Sequence, residues 1–289
     1  MDRIKQLSLA EGKILAFGGV YSNFQALTAL KEIADKEKIP ANNIICTGDI
    51  VGYCAKPKES LSLIKDWGIH SICGNVEIQL RNGEEDCGCD FSEDSRCDLF
   101  SKQWYPYAQK KVDQQDIAWL HSLPEFLHFT WNGKKVGVLH GSFENTSEFI
   151  FKSTPWEKKA RNFDSLDADI IIAGHCGLPF YDVHDNKTWI NPGIIGMPAN
   201  DGLSSVWYAT LEMVDGALKI DFNELVYDFL NAQSDMEQAK LPAAYSKTLA
   251  TGIWDNCDIL PALETSQQGQ LIQFNGEPVW KKSTVLKSI

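Results

Sequence analysis

Apolar and polar positions along the chain fall into blocks whose period changes from that of a buried strand to that of a helix. "KILAFGG" (13–19) is an apolar run ending in glycines, and "SNFQALTALKEIADKEK" (22–38) then spaces its apolar residues for one helix face. The pair predicts strand, loop, helix. "NIICTGD" (43–49) and "HSICGN" (70–75) repeat the short apolar strand closed by Gly and a polar residue, with "PKESLSLIKDWG" as the helix between them. Such alternation predicts an α/β fold with parallel strands and flanking helices.

The pattern then loosens. "RNGEEDCGCDFSEDSRCD" (81–98) is acidic and cysteine-rich, and the helical "SKQWYPYAQKKVDQQDIAWLHSL" (101–123) follows it. Beyond it, apolar runs flank turn dipeptides: Asn132-Gly133, Asp185-Asn186 and Asp215-Gly216 each predict a hairpin. No linker of low complexity intervenes. The expected organisation is a main domain over 1–230 with an insertion at about 81–98, and a helical, then irregular, extension over 231–289 packed on it.

Composition narrows the class. A chain of 289 residues can bury about 75% of its unfolded surface around one core. The net charge of -12, with no basic patch, disfavours binding along nucleic-acid phosphates. No stretch approaches the roughly 20 apolar residues of a membrane span, and the N-terminus lacks a basic region followed by an apolar core. A cytoplasmic protein is expected, in which the eight cysteines are thiols and not disulfides.

The strand ends carry the chemistry, because open sheets place their sites there. In chain order they read "GGVYSN", "GDIVGY", "GNVE", "LHGSFE" and "GHCGLPF", then "NPG". Asp49, Asn75, His140 and His175 thus supply oxygen and nitrogen ligands from separate strand ends, a set suited to Mn, Fe or Zn.

The order "GD", "GN", "HG", "GH", then "PF" and "NPG", resembles the calcineurin-like metallophosphoesterases, especially their small bacterial branch, over residues 13 to 200. The resemblance implies a sandwich of two mixed β-sheets flanked by helices. It also implies a two-metal site whose ions, roughly 3.5 to 4 Å apart, stabilise the attacking and leaving oxygens at phosphorus.

Half of that site departs from the family pattern. The first motif, Asp-x-His, falls on Gly19-Val20-Tyr21, and Gly177 stands where the last motif has its second histidine. The family's histidine beside the asparagine is Val76. Four side chains are candidates to rebuild what is lost. Tyr21 and Glu77 are candidate catalytic groups, Tyr21 also a candidate ligand, against the plainer readings that Tyr21 fills the space of an imidazole and Glu77 caps a helix. Cys176 and Cys54 are candidate additional ligands, with packing as the alternative. Cys87, Cys89 and Cys97 form a separate candidate thiol site for zinc or an iron–sulfur cluster, although the spacing matches no common pattern.

Three functions follow as expectations. The first is an atypical phosphoesterase acting on a small phosphomonoester or phosphodiester through one metal, or through two if the missing position is rebuilt. The second is a non-catalytic scaffold working through a partner. The third is thiol or iron chemistry at the cysteines.

Overall fold

The computed structural model of the chain describes residues 3–9, 11–89 and 91–274. Residues 275–289, the end of the expected C-terminal extension, lie outside them, as does Asp90 of the acidic insertion. Strands β1 (Ile4–Gln6), β5 (Phe126–Trp131), β6 (Lys134–Val138), β7 (Ile170–Ile172), β8 (Phe180–His184) and β9 (Lys187–Asn191) form one sheet in the order β1-β5-β6-β7-β9-β8. Strands β2 (Ile14–Phe17), β3 (Ile44–Cys46), β4 (His70–Ser71), β10 (Val206–Val214) and β11 (Ala217–Leu225) form the other in the order β11-β10-β2-β3-β4. Both are mixed: β2, β3 and β4 run parallel, as do β6, β7 and β9, while β10–β11, β5–β6 and β8–β9 are antiparallel hairpins. The expected two-sheet sandwich is the observed fold.

Strand β2 shows why the sheets face each other. Ile14 and Ala16 point into a core shared with Leu127, Val136 and Ile170 of the opposite sheet. Leu15 and Phe17, one residue out of phase, pack under helices α1 (Phe24–Lys36) and α2 (Pro57–Trp67). The period of two thus feeds two cores at once, and each buried Leu, Ile or Phe contributes about 1.5–3 kcal/mol.

Helix ends follow local chemistry. The Asn23 side chain accepts the Ala26 N–H to start α1, and Gly68 in the left-handed region closes α2. The turns at Asn132-Gly133 and Asp215-Gly216 are left-handed at both positions, as type I′ requires. The helical stretch expected over 101–123 is two helices, α4 (Arg96–Lys111) and α5 (Gln114–Ser122). Ser95 caps the first, so it begins inside the acidic insertion, and Asp113 with Asp116 forms a capping box that starts the second. Helix α3 (Asn75–Asn82) leads into the insertion, and α6 (Trp156–Leu166) covers the outer face of the first sheet. Helices α7 (Phe229–Gln238) and α8 (Ala243–Thr251) place Met236 and Leu249 in the core that holds α1, and α9 (Ala262–Ser266) follows. Among the described residues no helix is long and apolar enough to cross a membrane.

Candidate metal centre

The loops after β3, β6 and β7 meet at one edge of the sandwich. Asp49 and His175 both sit at left-handed backbone (φ 55° and 63°), a conformation that costs a side-chain-bearing residue about 1–3 kcal/mol and gathers at functional sites. Asp49 follows Gly48, itself at φ 94°, in a tight turn against the start of α3. Gly74 is required there: a Cβ on it would lie 2.0 Å from Asp49 Oδ1.

Three acceptors converge. His140 Nδ1 donates to the Thr47 carbonyl (2.6 Å), which leaves Nε2 with its lone pair free. That nitrogen is 3.2 Å from Asp49 Oδ2 and 3.1 Å from His175 Nδ1, and the three ligand atoms lie within 4.8 Å of one another. Phe149 stacks on the His175 ring at 4.2 Å and holds it in place. Both histidines and the aspartate are almost wholly buried.

Asn75 offers a fourth acceptor. Its amide nitrogen donates to the Cys87 carbonyl (2.8 Å) and to Cys89 Sγ (3.2 Å), while Oδ1 is buried without a hydrogen-bond partner. The neighbouring Val76 N–H donates to Asp49 Oδ1 (3.3 Å), so Asn75 stands beside the aspartate. An orphaned carbonyl oxygen beside a carboxylate and two imidazoles is the donor set of a divalent transition metal. Asp49, Asn75, His140 and His175 fit such an ion.

The electrostatics match. Burial disfavours the Asp49 charge, but His140 and His175 outweigh it and hold its carboxyl below the usual range. Burial pushes His175 down to about 3, with His140 acting in the same direction. Burial would also lower His140, but the Asp49 charge raises it overall.

Glu77, expected as a candidate catalytic group, is fully buried and accepts three backbone N–H groups, from Asp49 (2.7 Å), Val51 (3.0 Å) and Gly74 (2.9 Å). It caps α3 and pins the Asp49 turn. Burial and then Asp49 push its carboxyl up to about 7, against the pull of those N–H donors. Because the donors occupy both oxygens, the geometry favours the carboxylate.

Where the resemblance places the family's other ligands, this chain has packed rings. The loop after β2 is tied to the Asp49 loop, with Tyr21 N–H donating to Asp49 O (3.0 Å) and Ser22 N–H to Ile50 O (2.9 Å). A Cβ on Gly19 would lie 2.8 Å from the Tyr21 ring. Tyr21, raised far above its ordinary pKa first by burial and then by Asp49, is a neutral phenol packed 4.4 Å from Tyr53. Gly177 is left-handed (φ 80°), and a Cβ there would touch the Trp254 indole at 3.4 Å.

The candidate thiols separate into different settings. Cys54 is buried, with Sγ 3.7 Å from the Gly196 carbonyl, and does not line the cleft beside Asp49. Cys176 lines it, but its sulfur accepts from Asn191 Nδ2 (3.1 Å) and donates to the Leu178 carbonyl, and burial pushes its pKa up to about 12. Cys97 pairs with Asn256 Oδ1 at 3.6 Å and, like Cys89, lines the cleft. Among the described residues the sulfurs of Cys87, Cys89 and Cys97 do not converge as a metal site, and all eight cysteines are free thiols.

Sequence reasoning missed Thr47, Phe149 and Trp254 as parts of the centre. Only Asn191, in "NPG", carried a signal: it ties Gly174 and Cys176 together behind His175.

Fold and centre together define a calcineurin-like phosphoesterase domain. The chain belongs to that superfamily, whose domain model matches residues 19–216. It is 26% identical over 262 residues to an uncharacterized protein of Methanocaldococcus jannaschii, covering 84% of this chain and 100% of that protein. A solved metallophosphoesterase from Sphaerobacter thermophilus superposes with a TM-score of 0.64 at 25% identity, over 84% of this chain and 100% of that one. A hypothetical protein of Pyrococcus horikoshii OT3 shares the fold with a TM-score of 0.69 at 20% identity, over 84% and 99% of the two chains.

Proposed function

We propose that the protein is a metal-dependent phosphoesterase that works through one divalent transition metal, Mn, Fe or Zn, held by Asp49, Asn75, His140 and His175. The observation that carries this reading is the convergence of Asp49 Oδ2, His140 Nε2 and His175 Nδ1 beside an unpartnered Asn75 Oδ1. Such an ion, when bound, polarises a phosphoryl oxygen and lowers the pKa of a bound water.

The chain supplies the rest. Thr47 and Phe149 fix the two imidazoles, Glu77 fixes the Asp49 turn, and Cys87 and Cys89 fix the Asn75 amide. Val76 offers no proton to a leaving group, a loss worth about 10²- to 10⁴-fold for poor leaving groups. Small phosphorylated molecules with good leaving groups are therefore the substrates. Eight free thiols fit the reducing cytoplasm.

The filled first-metal half, with Gly19, Tyr21 and Gly177, favours the competing scaffold reading. Metal content and turnover of p-nitrophenyl esters, measured on protein purified without chelators, separate the two. About one metal per chain with metal-dependent hydrolysis, both lost in Asp49→Ala, is the expected result. Bound metal without turnover leaves the scaffold, and a wild-type rate in His175→Ala overturns the enzyme outright.

A further inference from the structure

We propose that residues 255–259 form a strap that closes the cleft over the metal centre, latched by the ion pair of Asp255 with Arg96, and that small molecules reach the centre only when this latch opens. The inference concerns access and does not depend on which reaction the centre performs.

With the strap in place the centre is shut. Asp49, Asn75, His140 and His175 are each at most 6% exposed. The cleft that leads to Asp49 and His175 holds about 80 Å³, against the roughly 300 Å³ at which small-molecule sites begin. A guest of that size enters only if a wall moves.

Of the walls, one is built to move. Tyr21, Ile194 and Met197 belong to the buried core. The first turn of α4, which contributes Cys97, is fixed because Trp104 and Tyr105 bury that helix. The segment joining α8 to α9 is different. Each of its residues 255–259 is half-buried or exposed, none lies in a helix or strand, and Asp255, Asn256 and Ile259 line the cleft.

The strap is pinned at both ends and held lightly between them. Trp254 donates its backbone N–H to Asn200 Oδ1 (2.8 Å) and Nε1–H to the Pro198 carbonyl (2.8 Å), while Leu260 is buried in the cluster under α6. Between these pins, Arg96 reaches both oxygens of Asp255, and Cys97 Sγ lies 3.6 Å from Asn256 Oδ1. The Arg96 side chain is more than half exposed, so the latch is weak and screened by salt. A short segment with polar fastenings and fixed ends can open locally while the rest of the fold stays intact.

Opening would uncover Cys176. Its thiol is 1% exposed, lines the cleft, and belongs to a cluster on which Cys257 and Ile259 of the strap pack. Cys54 is also buried but lies away from the cleft, so it reports global unfolding instead.

The test is pulse labelling of the manganese-loaded full chain with N-ethylmaleimide, kept to single hits per molecule, with the rates at Cys176 and Cys54 read by peptide mass spectrometry. Asp255→Asn, which keeps the shape and removes the charge, is expected to raise the Cys176 rate about fivefold, the upper end for an exposed ion pair, with Cys54 unchanged. Arg96→Gln should do the same from the other side of the latch. High salt should raise the wild-type rate and leave Asp255→Asn nearly unaffected. The charge swap Arg96→Asp with Asp255→Arg should return Cys176 to the wild-type rate, which a merely structural loss would not do. An unchanged Cys176 rate in both single variants overturns the latch, and a rise shared equally by Cys54 assigns the effect to unfolding and overturns the strap. Because labelling needs no turnover, the gate can hold in a protein that hydrolyses nothing, and its failure leaves the phosphoesterase reading standing.

Discussion

The two halves of the centre have opposite designs. Around Asp49, Asn75, His140 and His175, neighbouring groups orient the acceptors: His140 Nδ1 donates to Thr47, the Asn75 amide to Cys87 and Cys89, and Glu77 takes up backbone N–H groups. Around Gly19, Tyr21 and Gly177, rings occupy the space, with Tyr21 over one glycine and Trp254 against the other. The first half is polar, with its acceptors gathered within 4.8 Å of one another. The second is apolar and already filled. The second half is closed by packing, in which a phenol and an indole take up the volume beside Gly19 and Gly177.

The contrast can be tested, beginning with the largest effect. Asp49→Ala should drop metal content from about one per chain to background and abolish metal-dependent hydrolysis, by at least about 10²-fold. In the wild type a chelator should lower thermal stability, since a ligand at about 100 times its Kd contributes about 2.7 kcal/mol. Chelator-insensitive melting would mean that the polar half holds no ion. Next, Gly74→Ala should both destabilise the fold and weaken metal binding. Its methyl would meet Asp49 Oδ1 at 2.0 Å and Asp49 N at 2.5 Å, an overpacking worth about 1–3 kcal/mol by chemical denaturation.

The filled half is probed by restoring the family residues. Gly19→Asp alone should cost about 1–3 kcal/mol, because the new side chain needs the space of the Tyr21 ring. Combined with Tyr21→His it should cost less than the sum, with a coupling of about 0.5–3 kcal/mol. Metal content should stay at one, since Gly177 and Trp254 still close the position. Two ions in the double variant would show that the half was emptied of ligands and not rebuilt.

The smallest expected effect concerns the acidic insertion. Cys89→Ala removes one of the two acceptors that orient the Asn75 amide. Metal affinity should fall about tenfold, at the low end for a residue that orients a ligand, with Cys89→Ser close to wild type in a metal competition assay. An unchanged affinity in Cys89→Ala would assign the orientation to the Cys87 carbonyl alone.

The legible parts of the site were those written in short motifs. Asp49, Asn75, His140 and His175 each follow or precede a glycine at a strand end, and the turns that present them need those glycines locally. The hairpins at Asn132-Gly133 and Asp215-Gly216 were readable for the same reason. Strand β1 was not read, because its three residues are half exposed or exposed and gain their place only by pairing with β5. The boundary of α4 was misplaced because Ser95 lies in a stretch whose acidity and cysteines suggested a loop.

Local steric and turn preferences act between neighbours, so the sequence alone sufficed for the alternation of strands and helices, the turn types and the motifs at the strand ends. What surrounds the centre was settled only when remote segments met. Trp254 reaches Gly177 from beyond α8, and Cys89 reaches Asn75 across the insertion. Tyr21 excludes a side chain at Gly19 through the path of its own loop. Whether a missing ligand leaves a hole, a substitute or a wall depends on which side chains fill the volume around it. Close packing assigns that volume among residues far apart in the chain, and no local pattern encodes the outcome.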